Sequence, residues 1–113
     1  MFRKIFVVMV LTAITQPAFA YFYNGNDLRE SLREYRKAER EDKDTNYSKA
    51  WSFRGFVIGV YDATEDDYCT PRDFTSHQLM AVVAKYIEDS PQLWSEPAEH
   101  LVKSSLQSAF PCR

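Results

Sequence analysis

Apolar residues recur at helical spacing along most of the chain, with no hairpin dipeptide between alternating hydrophobics. Leu28, Leu32 and Tyr35 fall on one helical face, and Ala38 continues the stripe. Arg29, Glu30, Arg33, Glu34, Arg36 and Lys37 occupy the opposite face. Asn24 or Asn26 is positioned to cap this first helix, with Asp27 adding negative charge to its first turn. The pattern fades into the mixed-charge run Glu39-Arg40-Glu41-Asp42-Lys43-Asp44, a solvated helix end and loop.

A second helix is predicted over Tyr47 to Tyr61, with Asn46 as its cap. Ala50, Trp51, Phe53, Phe56, Val57, Ile58, Val60 and Tyr61 make it apolar on most sides, the pattern of a central helix. Phe53 to Tyr61 alone would also suit a buried strand; the length of the run from Tyr47 decides for a helix. Gly55 and Gly59 share a face, and each costs about 1 kcal/mol of helix propensity relative to alanine. The spacing predicts a close helix–helix approach there, in the core or at a contact between two copies.

Asp62 to Phe74 reads as a loop, because Pro71 and the cluster Glu65-Asp66-Asp67 oppose regular structure. Thr75-Ser76-His77-Gln78 is a capping box, followed by the stripe Leu79, Val82, Val83, Tyr86 and Ile87. Ser90-Pro91 ends that helix and opens a short turn through Trp94. Ser95-Glu96-Pro97 starts a last helix, with Ala98, Leu101, Val102, Leu106 and Ala109 on its apolar face and Pro111 as its stop. The expected fold is therefore all-α: four helices plus a short helical turn. The last two long helices, joined by a short connection, should pack antiparallel.

The N-terminus changes the picture of where this object works. Arg3 and Lys4 precede the apolar run Ile5 to Ile14, and Ala18-Phe19-Ala20 is an A-x-A site. Residues 1–20 read as a secretory signal peptide cleaved after Ala20, too short for a convincing membrane anchor. Residues 21–113 then form one domain of 93 residues, near the size at which a core alone is marginal. An exported chain lives where disulfides persist, and two cysteines allow a single intramolecular pairing, Cys69 with Cys112. An intermolecular bridge is the alternative. The intramolecular bridge would tie the end of the last helix to the start of the capped one and pin the preceding loop.

Without residues 1–20 the chain carries 12 Lys+Arg and 16 Asp+Glu, a net charge of −4 with histidine neutral. That balance gives no electrostatic case for nucleic acid or an anionic membrane surface. Catalytic constellations are missing as well. His77 and His100 have no partner at metal-ligand spacing, both cysteines are committed to a bridge, and there is no G-x-S-x-G or glycine-rich phosphate loop. Asp62, Glu65, Asp66 and Asp67 lack the D-x-D-x-D-G pattern of a calcium loop. The sequence therefore points away from an enzyme, a metal or a cofactor. It leaves a small exported binding protein, or an acid-stress chaperone that exposes its core when its carboxylates protonate.

Several stretches in order resemble the Rap/Tai family of periplasmic immunity proteins, which protect bacteria from peptidoglycan amidases delivered by type VI secretion. Gly25-Asn26-Asp27-Leu28 is similar to the family's entry into its first helix. Phe56-Val57-Ile58-Gly59-Val60-Tyr61-Asp62-Ala63 is similar to its Y-I-x-G-V-x-D-A segment. Cys69-Thr70-Pro71, then Gln78-Leu79, Val82-Val83 and Lys85-Tyr86, follow its C-x-P, Q-L, V-V, K-Y-L succession. Pro91, Ala98, Leu101-Val102, Leu106 and the closing Ala109-Phe110-Pro111-Cys112 complete the match over nearly all of residues 21–113. One departure is that Leu32 and Phe53 stand where family members commonly carry a further cysteine pair; an apolar contact is expected in its place.

The resemblance implies a periplasmic homodimer that binds an amidase effector and blocks its cleft without chemistry of its own. The surface expected to make that contact is the pinned loop: Asp62, Glu65, Asp66, Asp67, Tyr68, Arg72 and Asp73. It is polar, held at both ends, and shows a tyrosine, a residue type enriched in binding hot spots.

Overall fold

A computed structural model describes residues 22–113; the expected signal peptide, residues 1–20, lies outside the described residues. Four α-helices follow one another: α1 (Gly25–Glu39), α2 (Tyr47–Thr64), α3 (Ser76–Glu88) and α4 (Ala98–Ala109). Single 3₁₀ turns at Glu65–Asp67 and Pro91–Leu93 separate α2 from α3 and α3 from α4. The described residues form no named strand, so the all-α reading holds.

The helix ends obey the local chemistry of the sequence. Asn24 and Asp27 form a reciprocal capping box at α1, and Thr75 and Gln78 form one at α3. Asn46 accepts the Lys49 N–H at the start of α2. At the end of α1 the Asp42 N–H bonds the Lys37 carbonyl and the Glu41 N–H bonds Ala38, both at 3.1 Å. This crossed pair needs a left-handed residue between them, and Glu41 supplies it with φ 58°.

The start of α1 has no free N–H groups to solvate. Gly25 N–H bonds the Glu96 carbonyl and Asn26 N–H bonds that of Trp94, both at 2.8 Å, while Ala98 N–H bonds Tyr23 at 3.0 Å. An antiparallel bridge between Asn24 and Pro97 thus ties the entry of α1 to the entry of α4. The approach is close enough that a β-carbon on Gly25 would lie 2.7 Å from the Trp94 carbonyl oxygen.

One core runs through all four helices. Leu28, Leu32 and Tyr35 meet Ala50, Phe53 and Val57, and both sets pack on the buried residues of α3 and α4. Leu32 and Phe53 are both buried in this core, as an apolar contact in place of a bridge requires. Cys69 and Cys112 are joined, with a Cα–Cα distance of 5.0 Å, so the pairing is intramolecular.

Three expectations are corrected. α2 runs to Thr64, so Asp62 stands in its last turn instead of in the loop. α2 is also less central than its composition suggests: Trp51 and Tyr47 are 57% and 50% exposed, and open space surrounds Gly55 and Gly59. The stripe of α3 is rotated, with Met80 and Ala84 fully buried and Val82 and Tyr86 half-buried, and Ala109 of α4 is exposed.

Candidate functional site

The segment from Glu65 to Phe74, which follows the last turn of α2 with Asp62, is a shaped loop whose backbone is fixed at several points. Its first fixed point is Tyr68, whose ring lies at 18° to that of Tyr61 with centroids 6.1 Å apart. The Tyr68 hydroxyl shares a 2.7 Å hydrogen bond with Thr64, and the Tyr61 hydroxyl one of 2.8 Å with Thr70. Cys69 N–H donates to the Phe110 carbonyl at 2.9 Å, beside the disulfide to Cys112. Phe74 closes the segment by meeting Phe110 edge-on at 4.8 Å.

Tyr68 is therefore not part of the displayed surface. It is 5% exposed and belongs to the core. A short loop keeps one conformation only if some side chain gives it a buried anchor, and a tyrosine does so when its hydroxyl finds a partner, here Thr64. Asp62, Glu65, Asp66, Asp67, Arg72 and Asp73 are exposed. They comprise five carboxylates and one guanidinium, a net of −4, equal to that of residues 21–113 as a whole. The acidic balance of the protein is thus concentrated at one end of the helical bundle, on a platform with little conformational freedom left to lose on binding.

The carboxylates point from an open surface, and His77 and His100 are exposed on different helices. Among the described residues no three His, Cys, Asp or Glu side chains gather so as to hold a metal ion. No helix among them is long and apolar enough to cross a membrane.

Two further surfaces stand outside the loop, and the sequence reading singles out only the glycine face of the first. On α2, Tyr47 and Trp51 project into solvent, and one turn further the two glycines open a groove with Phe56, Val60 and Ala63. On α1, Arg29, Arg33, Arg36 and Arg40 line a second groove with Leu32 and Glu88. The i, i+4, i+7, i+11 spacing of those arginines was legible, but a charged helix face is so common that spacing alone gives it no meaning.

The chain has no match among curated proteins. A family model described as Rap1a immunity proteins matches residues 24–112, from the cap of α1 to the bridged Cys112.

Proposed function

This chain belongs to the Rap1a immunity protein family, and from that premise we propose that it is periplasmic and neutralises a peptidoglycan amidase delivered by type VI secretion. Family membership makes it an immunity protein against a secreted effector. The amidase target and the periplasmic site rest on the sequence motifs and on residues 1–20.

The observation that carries the proposed mechanism is the anchored acidic loop. Glu65, Asp66 and Asp67 project from a 3₁₀ turn whose two ends are held by α2 and by the Tyr68 anchor. An inhibitor of this kind needs no reactive group. It presents a rigid, charged protrusion that excludes substrate from a cleft, with charge complementarity setting the encounter rate. Asp62, Arg72 and Asp73 flank the protrusion and complete the contact surface.

The chain acts as a homodimer, with the outward face of α2 as the contact between copies. Trp51 and Tyr47 lie on the same i, i+4 row as Gly55, Gly59 and Ala63. In an antiparallel pairing about Gly55, Trp51 of each copy faces Gly59 of the other and Tyr47 faces Ala63. Such large-on-small pairing is self-complementary, as a two-fold interface requires.

The test is capture by the oxidised chain, residues 21–113, from an extract of a strain with active type VI secretion. It is followed by assay of the captured protein against peptidoglycan. Capture of an amidase that is inhibited at equimolar ratio, with inhibition lost in Asp66→Arg/Asp67→Arg, is the expected result. An amidase left fully active, or no amidase captured, refutes the proposal. Trp51→Glu should yield a monomer by analytical ultracentrifugation; an unchanged sedimentation coefficient refutes the α2 contact.

A further inference from the structure

We infer that the arginine groove on α1 is a second protein-contact surface, built to receive paired carboxylates from an acidic helical segment of a partner. It lies on the opposite part of the bundle from the acidic loop. Arg36 contacts Glu88, the last residue of α3, whereas the loop precedes Ser76 at the start of α3. The separation along α3 is about 18 Å at a rise of 1.5 Å per residue. The inference does not depend on the identity of the effector.

Residues 22–113 hold seven arginines, and four of them lie along one side of α1 and its cap: Arg29, Arg33, Arg36 and Arg40. Helix stability explains only part of this. Arg36 is in the last turn and Arg40 caps it, where cations oppose the negative end of the helix dipole. Both are also ion-paired, Arg36 with Glu39 and Glu88 and Arg40 with Asp42. Arg29 stands near the positive end of α1, where a cation gains nothing from the dipole. Among the described residues neither Arg29 nor Arg33 has an ion-pair partner.

Arg29 is nevertheless held in place. Its guanidinium carbon sits 3.6 Å from the centroid of the Trp94 ring. That ring is fixed in turn, because its Nε1–H donates to the Ile87 carbonyl at 2.8 Å. A stacked guanidinium keeps its in-plane N–H edge available for a carboxylate while losing little entropy on binding. Arg33 follows one helical turn later, about 5–6 Å away at the β-carbons. Between them and Glu88 lies a groove of about 260 Å³ with Leu32 at its base.

Charge decides the class of partner. Glu88 lines the groove, Glu39 and Asp42 pair with its Arg36 and Arg40, and the protein as a whole is acidic. An extended anionic surface such as a membrane or nucleic acid would meet those carboxylates as well as the arginines. Two carboxylates one helical turn apart would meet Arg29 and Arg33 alone. A helix with Glu at i and i+4 carries that spacing, and a leucine at i+3 would reach the groove.

The test uses the oxidised chain, residues 21–113, labelled with ¹⁵N. It is titrated with a blocked helical peptide carrying Glu at i and i+4 and Leu at i+3. The expected result is saturable shifts of the Arg29 and Arg33 Nε–H and the Trp94 indole N–H. Binding should weaken about tenfold in Arg33→Glu, whose side chain supports no contact of the fold. The same peptide with Gln for Glu should not bind. Equal binding of the Gln peptide, the absence of saturable shifts, or equal saturation by inorganic phosphate overturns the inference. Shifts that persist unchanged in Arg33→Glu overturn it too.

Discussion

Gly25→Ala adds a single β-carbon at the point where α1 and the entry of α4 come together. That atom would lie 2.7 Å from the Trp94 carbonyl oxygen, 2.8 Å from the Trp94 Cα and 3.0 Å from a Leu101 methyl. Two of the three are backbone atoms, so no rotamer change relieves the overlap. Overpacking of this kind costs about 1–3 kcal/mol. Moving the Trp94 segment outward also stretches the bonds from Gly25 and Asn26 to Glu96 and Trp94, each contributing about 1 kcal/mol. Alanine's helix propensity offsets at most about 1 kcal/mol. The net loss should be about 2–3 kcal/mol, and at about 4–8 °C per kcal/mol for a domain of this size Tm should fall by roughly 10–20 °C. Gly55→Ala is the matched control, because nothing beyond its own helix backbone and chain neighbours lies within 4 Å of its β-carbon. There only propensity acts, and Tm should rise by about 4–8 °C. Thermal unfolding followed by circular dichroism on the oxidised chain, dilute enough to be monomeric, reads both. A Gly25→Ala protein that melts with the wild type, or a Gly55→Ala protein that melts earlier, refutes the reasoning.

Cys112→Ser opens a loop of sequence separation 43 and should lower stability by about 4 kcal/mol in urea unfolding of oxidised protein. An unchanged midpoint would mean that the bridge contributes nothing. Glu41→Gly relieves the left-handed backbone at φ 58° and should raise stability by about 1 kcal/mol in the same assay. Glu34 accepts the Asn46 N–H and the Lys37 ammonium, in that order of effect, and these hold its carboxyl below the ordinary glutamate range. Its stabilisation is therefore fully present above that range and is lost as pH falls through the depressed value. Compared with the wild type, Glu34→Gln should show a shallower loss of stability below about pH 4 and a parallel curve above about pH 6. Parallel curves at all pH values would show that Glu34 is not linked to folding.

The parts of this fold that were legible in the sequence are those set by neighbours in the chain. Thr75 and Gln78 specify their capping box within four residues, and the run from Tyr47 distinguishes a helix from a strand by its length. The Cys69–Cys112 bridge was legible because two cysteines allow one intramolecular pairing, and antiparallel helices bring their ends together. What was misread depends on partners remote in sequence. Gly55 and Gly59 were read as a close approach in the core or between two copies; open space around both removes the core alternative, because spacing reports a shared face and not what opposes it. The tight glycine is Gly25, whose neighbour Trp94 lies on a different helix connection. Tyr68 was read as display because it sits in a polar loop and tyrosine is enriched at binding hot spots, yet its ring is claimed by Tyr61 and its hydroxyl by Thr64. The acidic surface itself was named residue by residue, and five of its six exposed members are carboxylates.

The buried anchor of the loop separates two tasks that a single surface usually mixes. Tyr68, Cys69 and Phe74 determine where the loop stands, and all three face inward or are covalently tied. Glu65, Asp66, Asp67 and Asp73 determine what it presents, and none of their side chains supports the fold through a hydrogen bond or ion pair among the described residues. Lineages can therefore exchange the presented letters one at a time while every intermediate stays folded. Where the loop is the effector contact proposed above, that freedom lets recognition change on a frame that does not.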